Sequence, residues 1–232
     1  MKELSDGILW YVVFLLSTVF HEFAHAFTAM KMGDLTAYES GQVSLNPITH
    51  MKREPWGTII IPIVSFALGG WMIGWASTPY DRNWAYTHPK KSAAMAAAGP
   101  ISNFTLILLS AALIHLGIVL GYLHAPQTLW LSSIVEANNP GFLEIVAKLL
   151  SVMFSLNLIL FIFNLIPLPP LDGSGMIPMY LNEEYGRKYM NLVSHGAFSL
   201  IGILIAWKLF DIFFMKIYPV FINILYFGSN YH

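Results

Sequence analysis

The sequence predicts an all-α polytopic membrane protein. Its 232 residues are 56 % hydrophobic and only 11 % charged, whereas a soluble domain carries about 25 % charged residues. Several apolar runs reach the length of about 20 residues that a helix needs to cross a bilayer. We therefore expect a single membrane domain over residues 1–232, with a core over about 8–180 and C-terminal membrane helices over about 189–227.

Composition also limits the chemistry of the chain. There is no cysteine, which excludes disulfides and thiolate metal ligands, so a metal ion would be held by histidine and carboxylate. The formal net charge of −1 gives no indication of nucleic-acid binding.

The first half of the chain contains one clear span and one broken one. Residues 8–30 form an apolar run that can cross a bilayer as a helix. Residues 35–56 mix Thr, Tyr, Val and Ser with glycine and proline, which is typical of a loop with short extended pieces. Residues 58–76 carry no charge but are interrupted by Pro62 and by a glycine pair at 69–70, which predicts a broken helix.

The second half supplies the remaining helices. Residues 92–123 are uncharged and too long for one crossing, so the Gly-Pro pair at 99–100 is expected to divide a small-residue entry piece from a true span. Residues 149–166 are predicted to form an apolar helix that ends at a proline-rich segment. Residues 189–210 and 212–227 are expected to form one further span, followed by a membrane-associated helix or second span.

The distribution of lysine and arginine predicts the orientation. Basic residues occur in 31–56, 77–91 and 182–188, whereas the predicted loop 124–141 has none. The positive-inside rule then places the first three segments in the cytoplasm. Both ends of 58–76 lie inside in this arrangement, so that segment is predicted to be re-entrant or interfacial. We expect a multi-pass protein of the cell membrane with its polar chemistry in the cytoplasmic half.

Two histidines and a glutamate lie inside the first span. His21 and His25 are four residues apart, which places both imidazoles on one face of a helix, where they can occupy two corners of a tetrahedral zinc site. Glu22 then lies beside the metal, where it can accept a proton from an activated water molecule, as in the H-E-x-x-H pattern. The alternative is a polar seam in which these groups satisfy each other or neighbouring helices. Because such groups are costly to bury unpaired in a membrane, a metal site is the better account.

Asp172 is the natural candidate for a third ligand. It follows three prolines, at 167, 169 and 170, which forbid regular helix, and non-helical backbone at membrane depth is tolerated where it lines a cavity. A hydrolytic zinc site needs a third protein ligand and an open position for water. The alternative is a solvent loop with a capping aspartate, but the intramembrane His-Glu-His set favours the metal role.

The two motifs together resemble those of the site-2 proteases, which are intramembrane zinc metalloproteases. That family pairs H-E-x-x-H on one span with N-x-x-P-x-P-x-x-D-G on another, and residues 21–25 and 164–173 match every defined position. Residues 99–103 also look like the intervening helix of that family. The resemblance covers about residues 8–180.

The resemblance implies the fold and the ligand set. It implies a three-helix catalytic core and one zinc ion per chain, held by His21, His25 and Asp172, with Glu22 as general base. We recognise no PDZ or CBS domain, so the chain is most similar to the compact members of the family.

Several further residues are candidates for roles near the site. Asn164 is predicted to be catalytic by orienting substrate or stabilising an oxyanion; packing between helices remains open for it. Asn157 is expected to pack between helices, and Asn103 to cap a helix in preference to facing the site. Residues 35–43 are a candidate edge strand for an extended substrate, suggested by their Thr, Tyr and Val content. His50 is expected to be a solvated loop histidine, with a role at the site as the alternative.

We expect the chain to be a zinc-dependent endopeptidase that cuts within or near a transmembrane helix. Its partners would be a transmembrane protein substrate and the lipid bilayer, with no nucleic acid and no oligomeric state predicted. The alternatives are a membrane metal transporter or metal-binding module, since intramembrane His and Asp also mark ion pathways, and an inactive scaffold of the same fold. Transport does not require Glu22 between the ligands, which favours the peptidase.

Overall fold

The computed structural model of the protein describes residues 2–194 and 196–227 and is almost entirely helical. Within the described residues, four helices are long and apolar enough to cross a membrane. The predicted all-α polytopic membrane fold is thus confirmed. The elements are α1 Lys2–Met32, α2 Thr36–Glu39, α3 Pro47–Arg53, α4 Ile61–Gly69, α5 Arg82–Thr87, α6 Pro89–Val119, β1 Leu123–His124, β2 Glu136–Ala137, α7 Phe142–Asn164, α8 Asp172–Met176, α9 Glu183–Val193 and α10 Gly196–Leu225.

A π-helical turn, Trp56–Ile60, precedes α4, and a 3₁₀ turn, Ile177–Tyr180, follows α8. The two short strands pair antiparallel, with Leu123 opposite Ala137, inside the segment predicted as a loop.

Helices α1, α6 and α7 pack together as a three-helix core. Small residues of α6, including Ala93, Ala96 and Ala97, are buried, and such residues allow membrane helices to approach closely. Larger side chains fill the space between α1 and α7, where Phe14 packs with Leu156. This packing sets α1 against α6 along the length that carries the histidines.

Helix α6 is continuous, so the predicted division at residues 99–100 is wrong. Pro100 lies inside the helix and has no N–H to donate to the turn before it. The carbonyl that loses its donor is that of Ala96, one turn earlier, and membrane helices tolerate such a break within a packed bundle. The extra length extends α6 beyond a single hydrocarbon thickness.

Residues 56–80 fold back on themselves, and we call this segment the fold-back hairpin. Gly70 turns the chain with a φ of 73°, after which Ile73 N donates to Ser65 Oγ over 2.9 Å and Trp75 N donates to Gly57 O over 3.1 Å. The segment is therefore a broken helix that folds back, as predicted from Pro62 and the glycine pair. Its re-entrant or interfacial position in the membrane stays a prediction.

Residues 35–43 do not form the candidate edge strand, because this segment contains the helical turn α2. Asp34 is responsible: its Oδ1 accepts hydrogen bonds from both the main-chain N and the Oγ1 of Thr36, at 3.0 Å and 2.6 Å. This carboxylate satisfies the free N–H of Thr36, the first residue of α2, and such a contact favours a helical turn over an extended strand.

The C-terminal helices also differ from the prediction. A polar helix, α9, ends at Val193, and α10 then continues without a break past residue 211 and through Pro219. Near its end, Tyr226 Oη donates to Ile134 O over 2.6 Å. Near its start, Gly202 lies so close to the Pro169 carbonyl that a methyl group there would overlap it. Helix α10 therefore braces the segment that leads to Asp172.

Candidate metal centre

Three predicted ligands meet between α1 and the start of α8. His21 Nε2 lies 3.0 Å from Asp172 Oδ2, and His25 Nε2 lies 3.3 Å from Asp172 Oδ1. The two Nε2 atoms are 3.0 Å apart. Ligands at about 2.0–2.1 Å from a tetrahedral zinc ion are themselves about 3.3 Å apart. The spacing therefore suits one small cation at the centre of the group.

The Nδ1 atoms of both histidines, which we call the outer nitrogens, are hydrogen-bonded away from Asp172, so the Nε2 atoms face the centre of the three-ligand group. His25 Nδ1 is 2.8 Å from the Met95 carbonyl oxygen, which only accepts, so Nδ1 carries the proton. His21 Nδ1 is 2.6 Å from Asn103 Oδ1 and is likewise the donor. In the neutral rings, both Nε2 atoms then present lone pairs to the centre, as metal-binding imidazoles do.

A buried chain of hydrogen bonds between amide side chains fixes the orientation of Asn103, so that its Oδ1 is the atom that accepts from His21. Its Nδ2 donates to Asn157 Oδ1 over 2.9 Å, and Asn157 Nδ2 donates to Ser17 Oγ over 2.9 Å and to Met153 O over 2.8 Å. All three side chains are fully or almost fully buried. The predicted capping role of Asn103 is therefore wrong, since it faces His21 from the middle of α6, whereas Asn157 does link helices as predicted.

The residues present fit a divalent cation such as zinc. Two neutral imidazole lone pairs and a carboxylate face one another at 3.0–3.3 Å, and such an arrangement is repulsive without a positive charge between them. Asp172 Oδ2 is buried and has no hydrogen-bond partner within residues 2–194 and 196–227. Gly99 leaves space for the two imidazole rings beside α6, because a methyl group at this position would overlap both Nε2 atoms.

Glu22 lies beside this group and is not part of it. Its side chain is buried, with 5 % of the residue exposed, and its Oε2 accepts a hydrogen bond of 2.7 Å from Thr78 Oγ1. The sequence does not indicate a role for Thr78, because this residue belongs to no motif and lies far from Glu22 along the chain. A carboxylate next to a metal but outside its ligand set suits a general base.

Two other predicted residues lie outside the group. Asn164 is the half-buried last residue of α7, and its side chain makes no hydrogen bond within the described part of the chain, so its catalytic role stays a prediction. His50 was expected to be solvated but is buried, and its Nε2 is 2.8 Å from Ser44 O. The structure thus gives His50 a local structural contact.

Comparison with known proteins decides the family. A profile described as "Peptidase family M50" matches residues 9–209. The chain belongs to this family. The resemblance to site-2 proteases is thereby confirmed, and family membership identifies a metalloprotease with apolar helices of membrane-spanning length.

Relatives with descriptive names agree with this membership. The Bacillus subtilis protein named "Putative zinc metalloprotease YwhC" is 35 % identical over 187 residues, which cover 80 % of this chain and 74 % of the relative. The Mycolicibacterium smegmatis protein named "Putative zinc metalloprotease Rip2" is 28 % identical over 207 residues, which cover 89 % of this chain and 70 % of the relative. No solved structure matches the chain with significance.

The Asn103 contact leads to a first prediction. Replacing Asn103 with leucine should lower zinc affinity by about 10- to 100-fold, the usual cost of losing a partner behind a histidine ligand. Zinc transfer to a chelator of known affinity would measure this loss. Asn138→Ala, which removes an exposed amide bonded to Gly121 O, is the control, and unchanged affinity in Asn103→Leu would contradict the prediction.

Proposed function

We propose that this chain is a zinc-dependent intramembrane endopeptidase that cuts peptide bonds within or near a transmembrane helix of a membrane protein. The observation that carries the proposal is the convergence of His21, His25 and Asp172, with Glu22 beside them, inside a bundle of apolar helices. His21 lies about 17 Å before the end of α1 at the helical rise of 1.5 Å per residue.

The ligand roles follow from the donor set. His21 and His25 would bind zinc through Nε2 and Asp172 through its carboxylate, which leaves a fourth position open. Bound there, zinc would supply Lewis-acid activation of a water molecule and of the scissile carbonyl. One zinc ion per chain is expected, because the described residues offer one group of three such ligands.

Glu22 would act as the general base. Its carboxylate accepts a proton from the attacking water as the new C–O bond forms, and then delivers that proton to the leaving amine as the C–N bond breaks. Asn164, at the end of α7, would donate its amide N–H to the substrate backbone or to the developing oxyanion.

The substrate and the location follow from the surroundings of the site. A transmembrane helix has its amides paired internally, so the substrate would unwind locally before its carbonyl reaches the buried centre. The lysines and arginines favour a cell-membrane orientation with the site in the cytoplasmic half. That position would admit both water and the cytoplasmic end of a substrate helix.

The proposal is tested by reconstituting the purified chain in lipid vesicles with a library of tagged single-span substrates. Mass spectrometry of the products should place cuts inside or within a few residues of the span. A zinc chelator should stop cutting, and added zinc should restore it. Cutting that survives chelation, the absence of any cut across the library, or cuts confined to soluble regions would overturn the proposal.

A further inference from the structure

The hydroxyl group of Thr78 contacts the proposed base. Thr78 Oγ1 lies 2.7 Å from Glu22 Oε2 and 3.0 Å from the main-chain oxygen of the same residue. A hydroxyl has one proton to donate, and the charged carboxylate is the stronger acceptor of the two. The proton is therefore directed to Oε2.

This contact makes the two carboxylate oxygens of Glu22 unequal. Oε2 is held by Thr78, whereas Oε1 has no hydrogen-bond partner among the described residues. We propose that Thr78 is a positioning residue of the peptidase, which holds Oε2 so that Oε1 is presented to the attacking water. This inference rests on the proposed function.

Thr78 is itself held from both sides along the chain. On one side, Trp75 N donates to Gly57 O, closing the fold-back hairpin. On the other side, Asp81 N donates to Asp34 Oδ2 over 2.9 Å, and Asp34 is buried just after α1. The hydroxyl is thus fixed by one anchor in the hairpin and by a second one at Asp34, whose own N donates to Ala29 O of α1 over 3.0 Å. The orientation of the base depends on the hairpin as well as on α1.

A valine substitution separates this role from simple packing. Thr78→Val keeps the side-chain shape but loses the donor, and it should lower kcat by about 10- to 100-fold, a part of the 10²- to 10⁴-fold contribution of a general base. KM should change by less than about threefold and zinc content should stay at the parent level, because the change acts on the base and not on the ligands. Thr78→Ser keeps the donor and should retain kcat within about threefold.

The control is Thr105→Val on the outer face of α6. That hydroxyl donates to Ile101 O of its own helix, so its loss removes a matched hydrogen bond away from the site. All variants would be assayed on one substrate that the parent chain cuts, with thermal unfolding measured in parallel.

Each outcome decides the inference. A low kcat in Thr78→Val, rescued in Thr78→Ser and absent in Thr105→Val, would support it. Parent-like kcat in Thr78→Val, or equal losses in the valine and serine variants, would overturn it while leaving the peptidase itself intact. Valine and serine variants that both fail to fold would show a structural role and would also overturn it. An inactive parent chain would instead contradict the proposed function.

Discussion

Replacing Glu22 with glutamine is expected to lower the rate of peptide cleavage by about 10²- to 10⁴-fold while zinc stays bound. Glutamine has nearly the same shape, and its amide oxygen can still accept the Thr78 hydrogen bond, but it does not take a proton from water at neutral pH. Zinc is retained because Glu22 lies outside the group formed by His21, His25 and Asp172.

Initial rates on one substrate, together with zinc per chain by elemental analysis, measure this effect. Glu39→Gln makes the same chemical change on the exposed surface of α2 and should behave like the parent. A Glu22→Gln rate within tenfold of the parent would assign the base to another group. Loss of zinc along with activity would instead make Glu22 a ligand.

Replacing Asp172 with asparagine should reduce zinc from about one ion per chain to below about a tenth after dialysis against a weak chelator. The change keeps the volume of the side chain but removes the negative charge that balances the cation, and carboxylate is a far better zinc ligand than a neutral amide. Peptidase activity should disappear with the zinc.

Asp81→Asn is the matched control, because it removes a charge from an exposed residue whose side chain accepts from Asn83 N and an asparagine can still do so. Added zinc should raise the unfolding temperature of the parent and of Asp81→Asn but not of Asp172→Asn, since a ligand stabilises only a state that binds it. An Asp172→Asn chain with parent-like zinc would refute the assignment of Asp172 as a ligand.

The parts of the site that the sequence predicted are those set by short-range geometry. His21 and His25 share a face of α1 because a helix repeats every 3.6 residues. The prolines before Asp172 prevent α7 from continuing, because proline has no N–H to donate and its ring clashes with the preceding helical turn; both effects are local to the sequence. The meeting of Asp172 with the two histidines is long-range: the proline-rich segment and the need for a third ligand made Asp172 a candidate, and the resemblance to a known family implied the complete ligand set.

The residues that the sequence did not connect are joined by contacts across the fold. Asn103 and Asn157 are 54 positions apart, and Glu22 and Thr78 are 56 apart, and no spacing rule relates such pairs. Asparagines in a membrane span also commonly bond between helices, so the residue type alone did not indicate a contact between Asn103 and His21.

The wrong predictions have a common physical origin in tertiary context. Pro100 disfavours a helix in isolation, but α6 continues through it where Pro100 is buried in the bundle. Residues 35–43 have the composition of a strand, but Asp34 stabilises a helical start. In both cases the surroundings of the segment outweigh its local preference.

The outer nitrogens of the two histidines also fix how far α1 can slide along α6. His21 bonds a side chain of α6 and His25 bonds a main-chain oxygen two turns away, so the two contacts are not interchangeable. A shift of α1 by one turn, about 5.4 Å, would bring His25 to Asn103 and leave the Met95 carbonyl without its donor. Because neither contact involves the cation, the helix register should survive removal of the metal, and zinc should return to a chain that has not unfolded.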